Sequence, residues 1–339
     1  MLFVGRNGSG RGQEKLLAPL AVIQQTNKVI AGILDSRPRS DLKILRKIAA
    51  YVVQSGGKRI RPLFLYYLGK AYGAPGKELI QLGALLEIVH AASLLHDDVI
   101  DKADERRNQP TGAKLFGNKQ VILGGDHLLS SGLKYLNGLG NADYMAVFTD
   151  AIQALSEAEL LQMQQHFDLK TPLKVHARVV DGKTAVLFRA AGALTAIQNQ
   201  QKDYYRSEPA VLGESFGRYF QHRDDCLDYF DAARLKKKGL QDFANGIVTR
   251  PLAYLLAAAT RGEYAFIRNE WEFARANGRV RSEGDILQLL KKHRIEERCL
   301  AELRDAETRI LAGLAALPQK EPAAMITREF QKILAVRAA

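Results

Sequence analysis

The sequence predicts an all-α protein, and three observations carry that prediction. Segments rich in Ala, Leu, Gln, Glu and Lys follow one another with short Gly, Pro or Asn breaks. Apolar residues return at helical spacing, and strand-like alternation is scarce. The composition, 47% hydrophobic and 25% charged over 339 residues, leaves ample material for a core. The pattern predicts helices over 14–35, 41–55, 61–72, 77–102, 119–136, 144–167, 172–197, 203–231, 250–260, 263–277, 282–317 and 323–335. About a dozen helices without a linker between them make a single-domain bundle over 14–339, its core built between helices.

The start of the chain, 1–13, reads as a disordered tail. Its glycines do not make a phosphate loop, because Gly10 is followed by Arg11-Gly12 where Lys and Ser/Thr are required, and no buried strand precedes it. The two cysteines, Cys226 and Cys299, lack metal-type spacing and suggest a reducing compartment. No apolar run approaches the ~18 residues of a membrane span, so a cytoplasmic protein is expected. The net charge of +12 is scattered apart from Lys236-Lys237-Lys238, without the aromatic interleaving that would suggest nucleic acid.

Ahead of the helix over 61–72 stands GGKRIRP, a glycine turn with Lys58, Arg59 and Arg61 before a helix-starting Pro62, a suitable grip for phosphate. The helix over 77–102 is apolar around most of its girth, with Leu82, Leu85, Leu86, Val89, Ala92 and Leu95 at helical spacing, and should be buried. It ends in Asp97, Asp98 and Asp101. Asp97 and Asp101 share a face, with Ser93 and His90 below them. A helix C-terminus is the worse end for negative charge, and a bound cation resolves the conflict. Oxygen-only ligands favour a hard ion such as Mg2+, which takes one or two carboxylates plus phosphate oxygens.

The helix over 203–231 repeats the pattern in GRYFQHRDDCLD, with Asp224, Asp225 and Asp228, and Gln221 one turn earlier. Arg106-Arg107 follows the first acidic cluster, and Lys183-Thr184 opens an apolar stretch within 172–197. Any one of these cations is more often a surface charge than a ligand. Two acidic clusters and several cations together describe a site for Mg2+ and diphosphate above an apolar cavity.

In GGKRIRP (56–62), HAASLLHDDVID and RRNQPT (90–111), GGDHLL (124–129), EAELLQ (157–162), KTAVLF (183–188), FQHRDDCLDY (220–229) and KKKGLQDFANGIVTRPL (236–252), the chain resembles the trans-polyprenyl diphosphate synthases of the isoprenoid synthase superfamily. The resemblance runs from about Ile44 to near the C-terminus. It implies an all-helical bundle around a deep central hydrophobic cavity, a homodimer and three Mg2+ ions. It implies that Asp97, Asp101 and Asp224 ligate metal, supported by Asp98, Asp225 and Asp228. It places Arg106, Lys183 and Lys238 on an allylic diphosphate (geranyl, farnesyl or geranylgeranyl), and Gly57, Lys58, Arg61, His90 and Arg107 around isopentenyl diphosphate. Thr184 and Gln221 would stabilise the allylic cation. Short-chain members carry aromatics where this chain has the small Ala92 and Ser93, so a medium- or long-chain product is expected, with transient membrane contact for its release.

The chain departs from the family pattern at Ile247, where a diphosphate-binding lysine is usual; the neighbouring Arg250 is a candidate substitute. His127 and Ala158 replace a usual tyrosine and glycine, and His222 and Arg223 stand where apolar residues are common. The loss at 247 favours a second reading, a non-catalytic or partner-dependent subunit of a heteromeric synthase. A short-chain geranylgeranyl or farnesyl diphosphate synthase and a terpene cyclase are further alternatives. GGKRIRP and Arg106-Arg107 count against the cyclase, which has no isopentenyl diphosphate to hold.

Overall fold

The structure, a computed structural model, describes residues 15–35, 42–54, 57–101, 103–106, 109–230 and 239–334. The expected tail, Arg107 and Lys238 lie outside the described residues, and Arg106 is described in its backbone alone.

The first half of the chain forms α1 (Pro19–Asp35), α2 (Lys43–Gln54), α3 (Ile60–Ala71), α4 (Gly76–Ile100), α5 (Gly112–Phe116), α6 (Asn118–Gly138) and α7 (Ala142–Gln164). α8 (Leu173–Val180) and α9 (Val186–Gln198) are separated by one π-helical turn, Asp181–Ala185. α10 (Glu208–Phe230), α11 (Gln241–Ala244), α12 (Arg250–Ala258) and α13 (Arg261–Asn277) follow, then α14 (Glu283–Lys292), α15 (Ile295–Ala316) and α16 (Lys320–Leu334). Extended pairing among the described residues is confined to an antiparallel ribbon between β1 (Glu105–Arg106) and β2 (Gln109–Pro110).

The all-α expectation therefore holds, with corrections at element ends. The helix expected over 282–317 is two helices, broken where Arg294 takes a left-handed φ of 52°. The helix expected over 172–197 contains the π turn, and that over 203–231 begins at Glu208 after a 3-10 turn, Tyr204–Arg206. The helices 112–116 and 241–244 fall where none was expected.

α4 is the central helix, packed against α3, α6, α1 and α9. It is long and apolar enough to cross a membrane, which corrects the expectation that no segment approaches that length. Its apolar surface is used inside the protein, where 67% of the most apolar window is buried. The buried core is continuous from Val22 in α1 to Phe330 in α16. Phe64, Phe188, Phe216 and Phe330 lie within it at ring separations of 4.7–5.6 Å, the spacing of tilted and edge-to-face contacts.

The loop before α3 is held by Arg59. This residue takes a left-handed φ of 48°, a conformation that costs a side-chain-bearing residue about 1–3 kcal/mol. Its guanidinium repays the strain by donating to Asn27 Oδ1 at 3.0 Å, Glu87 Oε1 at 2.8 Å and the Val53 carbonyl at 3.3 Å. The Arg59–Glu87 pair is almost fully buried, so it joins the loop to the middle of α4 and fixes where Lys58 and Arg61 emerge. Removing one partner of such a pair leaves a buried charge uncompensated. Arg59→Met should therefore cost about 3–5 kcal/mol in urea denaturation, and the Arg59→Met/Glu87→Leu double variant should recover most of it. Equal losses in the single and double variants would show that the pair is not coupled.

Candidate active site

The two acidic clusters end buried helices, and each lies where the helix dipole is unfavourable. Among the described residues neither α4 nor α10 has a basic residue in its last turn. A cavity of about 760 Å³ opens between them, bounded by α2, α4, α7, the π turn and α10. Asp97, Asp98, Asp101 and Asp224 line it; Asp101 and Asp224 are exposed, whereas Asp98 is buried. Gly57, Lys58, Arg61, His90, Ser93, Lys183, Thr184 and Gln221 line it too. Twelve of the residues singled out in the sequence are thus brought to one cavity. Its apolar wall includes Leu94, Leu155, Leu160, Met163 and Phe220.

The π turn sets the geometry on the α9 side. A widened turn places Lys183 and Thr184 side by side facing the cavity. Gly182 lets α7 approach: a Cβ there would lie 2.7 Å from the Ala158 Cβ and 2.8 Å from the Ala154 carbonyl oxygen. Arg218 of α10 donates to Asp181 at 2.9 Å and anchors the turn from the other side. Gly217 allows the close crossing of α10 over the turn, since a Cβ there would sit 2.5 Å from the Ala185 Cα.

That crossing makes a hydrogen-bonded chain possible. The Thr184 hydroxyl donates to Gln221 Oε1 at 2.6 Å, and Gln221 Nε2 donates to Asp225 Oδ1 at 2.9 Å. The other Asp225 oxygen lies 3.0 Å from His176 Nε2. Asp225 is 2% exposed and faces this chain, not the cavity lining. Asp228 is likewise absent from the lining: its oxygens accept the backbone N–H groups of Gln241 at 3.0 Å and Asp242 at 2.9 Å. It thereby caps α11 and brings Asp242 beside the second cluster.

Burial pushes the Asp242 carboxyl well above the usual carboxylate range, and Asp225, Asp228 and Asp224 push it the same way. Lys183 acts in the opposite direction. So many carboxylates cannot all ionise here without added positive charge, and an all-oxygen donor set suits a hard divalent cation. The residues present therefore fit a metal of the Mg2+ class, with Asp97, Asp101 and Asp224 among the carboxylates that line the cavity.

Glu159, His176, Asp181, Arg218 and Asp242 take part in these arrangements without having had a role in the sequence reading. Glu159 on α7 forms an ion pair with Lys183 and holds the ammonium at the cavity wall, while its buried Oε1 has no hydrogen-bond partner among the described residues. EAELLQ and LQDFA were visible as motifs, but only the fold shows what their acids touch. Ala92 is a buried core residue outside the cavity lining, whereas Ser93 and Ala91 line it. Arg250, the candidate substitute for the missing lysine, is tied to Glu302 at 3.0 Å and lies outside the cavity lining. Ile247 lies in a separate small pocket with Val175, Val179 and Val248.

Residues 42–291 match the family model described as polyprenyl synthetase. The octaprenyl diphosphate synthase of Escherichia coli is 33% identical over 252 residues, covering 74% of this chain and 77% of that protein. A decaprenyl diphosphate synthase from Rhodobacter capsulatus superposes with a TM-score of 0.86 at 27% identity, over 94% of this chain and 97% of that one. A polyprenyl synthase from Caulobacter crescentus, solved with calcium and isoprenyl diphosphate, superposes with a TM-score of 0.82 at 25% identity, over 94% and 96%.

The crossing of α10 over the π turn carries a direct test. Gly217→Ala presses a methyl group against backbone, so it should destabilise the fold by about 1–3 kcal/mol in urea denaturation. A variant as stable as the parent would mean that the two elements separate freely.

Proposed function

The chain belongs to the polyprenyl synthetase family, and we propose that it condenses isopentenyl diphosphate with an allylic diphosphate to give a medium- or long-chain polyprenyl diphosphate. One observation carries the reading: Asp97, Asp101 and Asp224 face the same cavity as Lys58, Arg61 and Lys183, and the wall between them is apolar. The related octaprenyl and decaprenyl synthases support the product class. Geranyl, farnesyl and geranylgeranyl diphosphates are the candidate primers.

The chemistry follows from the placement of charge. Mg2+, three ions per site in this reading, would supply charge neutralisation for the departing diphosphate. The calcium and isoprenyl diphosphate in the Caulobacter relative support that pairing. Lys183, held by Glu159, adds fixed positive charge on the same side. The allylic C–O bond breaks with its electron pair leaving on diphosphate. Thr184 donates its proton to Gln221, which leaves the hydroxyl lone pairs to face the allylic carbon as an oxygen dipole. The isopentenyl double bond then forms the new C–C bond, and the proton lost from the isopentenyl unit passes to the released diphosphate. Lys58, Arg61 and His90 hold the isopentenyl diphosphate, Arg61 with its guanidinium 5.3 Å from the centre of the Phe188 ring. The apolar wall excludes water from the cation.

Arg106, Arg107 and Lys238 complete the diphosphate grip in this proposal. A second copy of the chain is the partner inferred for Leu115, Ile122 and Leu123, which are 52%, 41% and 66% exposed, and a monomer in sedimentation velocity would exclude it. The cytoplasm is the proposed compartment. A greasy product would be released through transient membrane contact, which failure to co-sediment with anionic liposomes would count against.

The test is product analysis from farnesyl diphosphate, isopentenyl diphosphate and Mg2+. A ladder ending at a long chain is expected. Asp97→Ala should lower turnover by orders of magnitude, and parent-like turnover would overturn the metal assignment. Ser93→Phe should shorten the product, because Ser93 and not Ala92 lines the cavity. An unchanged product would place the chain-length stop elsewhere. No elongation at all by the folded parent protein would favour the partner-dependent subunit.

A further inference from the structure

Behind the second acidic cluster, on the side of α10 away from the cavity, lie His222 and Cys226, four residues apart and so on one helical face. Cys299 of α15 meets them. All three are buried, at 7%, 4% and 0% exposure, and their ligand atoms lie within 4.8 Å of one another. His222 Nε2 has no hydrogen-bond partner among the described residues, an uncommon state for a buried imidazole nitrogen. The cysteines are reduced, and nothing in the proposed chemistry uses any of the three.

We propose that His222, Cys226 and Cys299 form a Zn2+ site that fastens α10 to α15. A tetrahedral Zn2+ with Zn–S near 2.3 Å and Zn–N near 2.0 Å separates its donors by about 3.5–3.8 Å, and water would complete the three protein donors to four. The observed cluster reaches that arrangement with side-chain adjustments of about 1 Å. Two thiolates with an imidazole are soft ligands that select Zn2+ over the hard Mg2+ of the carboxylate site. Binding releases the two thiol protons, so one Zn2+ and two thiolates make a neutral unit. Neutrality suits a fully buried position, where a net charge would be costly. Glu302, one turn beyond Cys299, does not compete for the ion, because Arg250 holds one of its oxygens at 3.0 Å and the Tyr254 hydroxyl donates to the other at 2.6 Å. A metal here would lock the segment that carries Asp224 and Asp225 against α15 without touching substrate.

The experiment uses reduced, metal-free full-length protein in excess Mg2+, which occupies the carboxylates. Titrated Co2+ should give a near-ultraviolet thiolate-to-cobalt charge-transfer band saturating at one ion per chain. Zn2+ should abolish that band, and Cys299→Ser should lose it. Independently of any variant, one equivalent of Zn2+ should slow alkylation of Cys226 and Cys299 by N-ethylmaleimide at least tenfold. Cobalt bound without the band, which means carboxylate binding only, would overturn the site. So would a band that survives in Cys299→Ser, or alkylation rates indifferent to Zn2+.

Discussion

The repulsion between two groups of carboxylates is the constraint on which the rest of this structure depends. Both groups stand at the C-terminal ends of buried helices, where the backbone dipole adds to their cost. The fold disposes of some of that charge internally. Asp225 is satisfied by His176 and Gln221, and Asp228 by the first backbone amides of α11. Asp97, Asp101 and Asp224 still line the cavity, and Asp242 is pushed well towards its protonated form by burial and by its acidic neighbours. An unfavourable arrangement of this kind becomes favourable once cations bridge it to a polyanion. The carboxylates that line the cavity are those that would do the bridging.

Much of the remaining architecture keeps the opposing positive charge in place without collapsing the cavity. Lys183 is drawn to the wall by Glu159 on α7 and presented by a π turn that tolerates no side chain at Gly182. Arg59 holds a strained loop so that Lys58 and Arg61 reach the cavity from the α3 side. Each device ties a cation at the cavity wall, Lys183 or Arg59, to a buried carboxylate. Preorganisation of this sort is what lets charge develop on a leaving group without reorganising the protein.

The sequence discloses the helices and the acidic clusters because both are local. Helical spacing identifies α4 as a buried helix, and the separation of Asp97 from Asp101 fixes their common face. The pairings that arrange the site are not local. Glu159 meets Lys183 across 24 positions, and His176 meets Asp225 across 49, which only the packing of α7, α8 and α10 can reveal. Local reading also fails at single backbone positions. The left-handed Arg294 breaks a helix that its neighbours would continue, and the π turn at 181–185 is invisible in a pattern of 3.6 residues per turn. On α4 the neighbours Ala92 and Ser93 look equally suited to line the cavity. The structure separates them, with Ser93 facing the cavity and Ala92 the core.

Titration calorimetry of Mg2+ into the full-length protein, with and without a non-ionisable allylic diphosphate analogue, tests the central claim most directly. If the carboxylates await a bridge to a polyanion, each ligand must tighten the other by the same factor, as linkage requires. The account predicts that Mg2+ binds at least tenfold more tightly with the analogue present, and that Asp97→Ala removes the coupling. Equal Mg2+ affinity in both titrations would contradict it, because the acidic helix ends would then be stabilised without reference to the diphosphate they face.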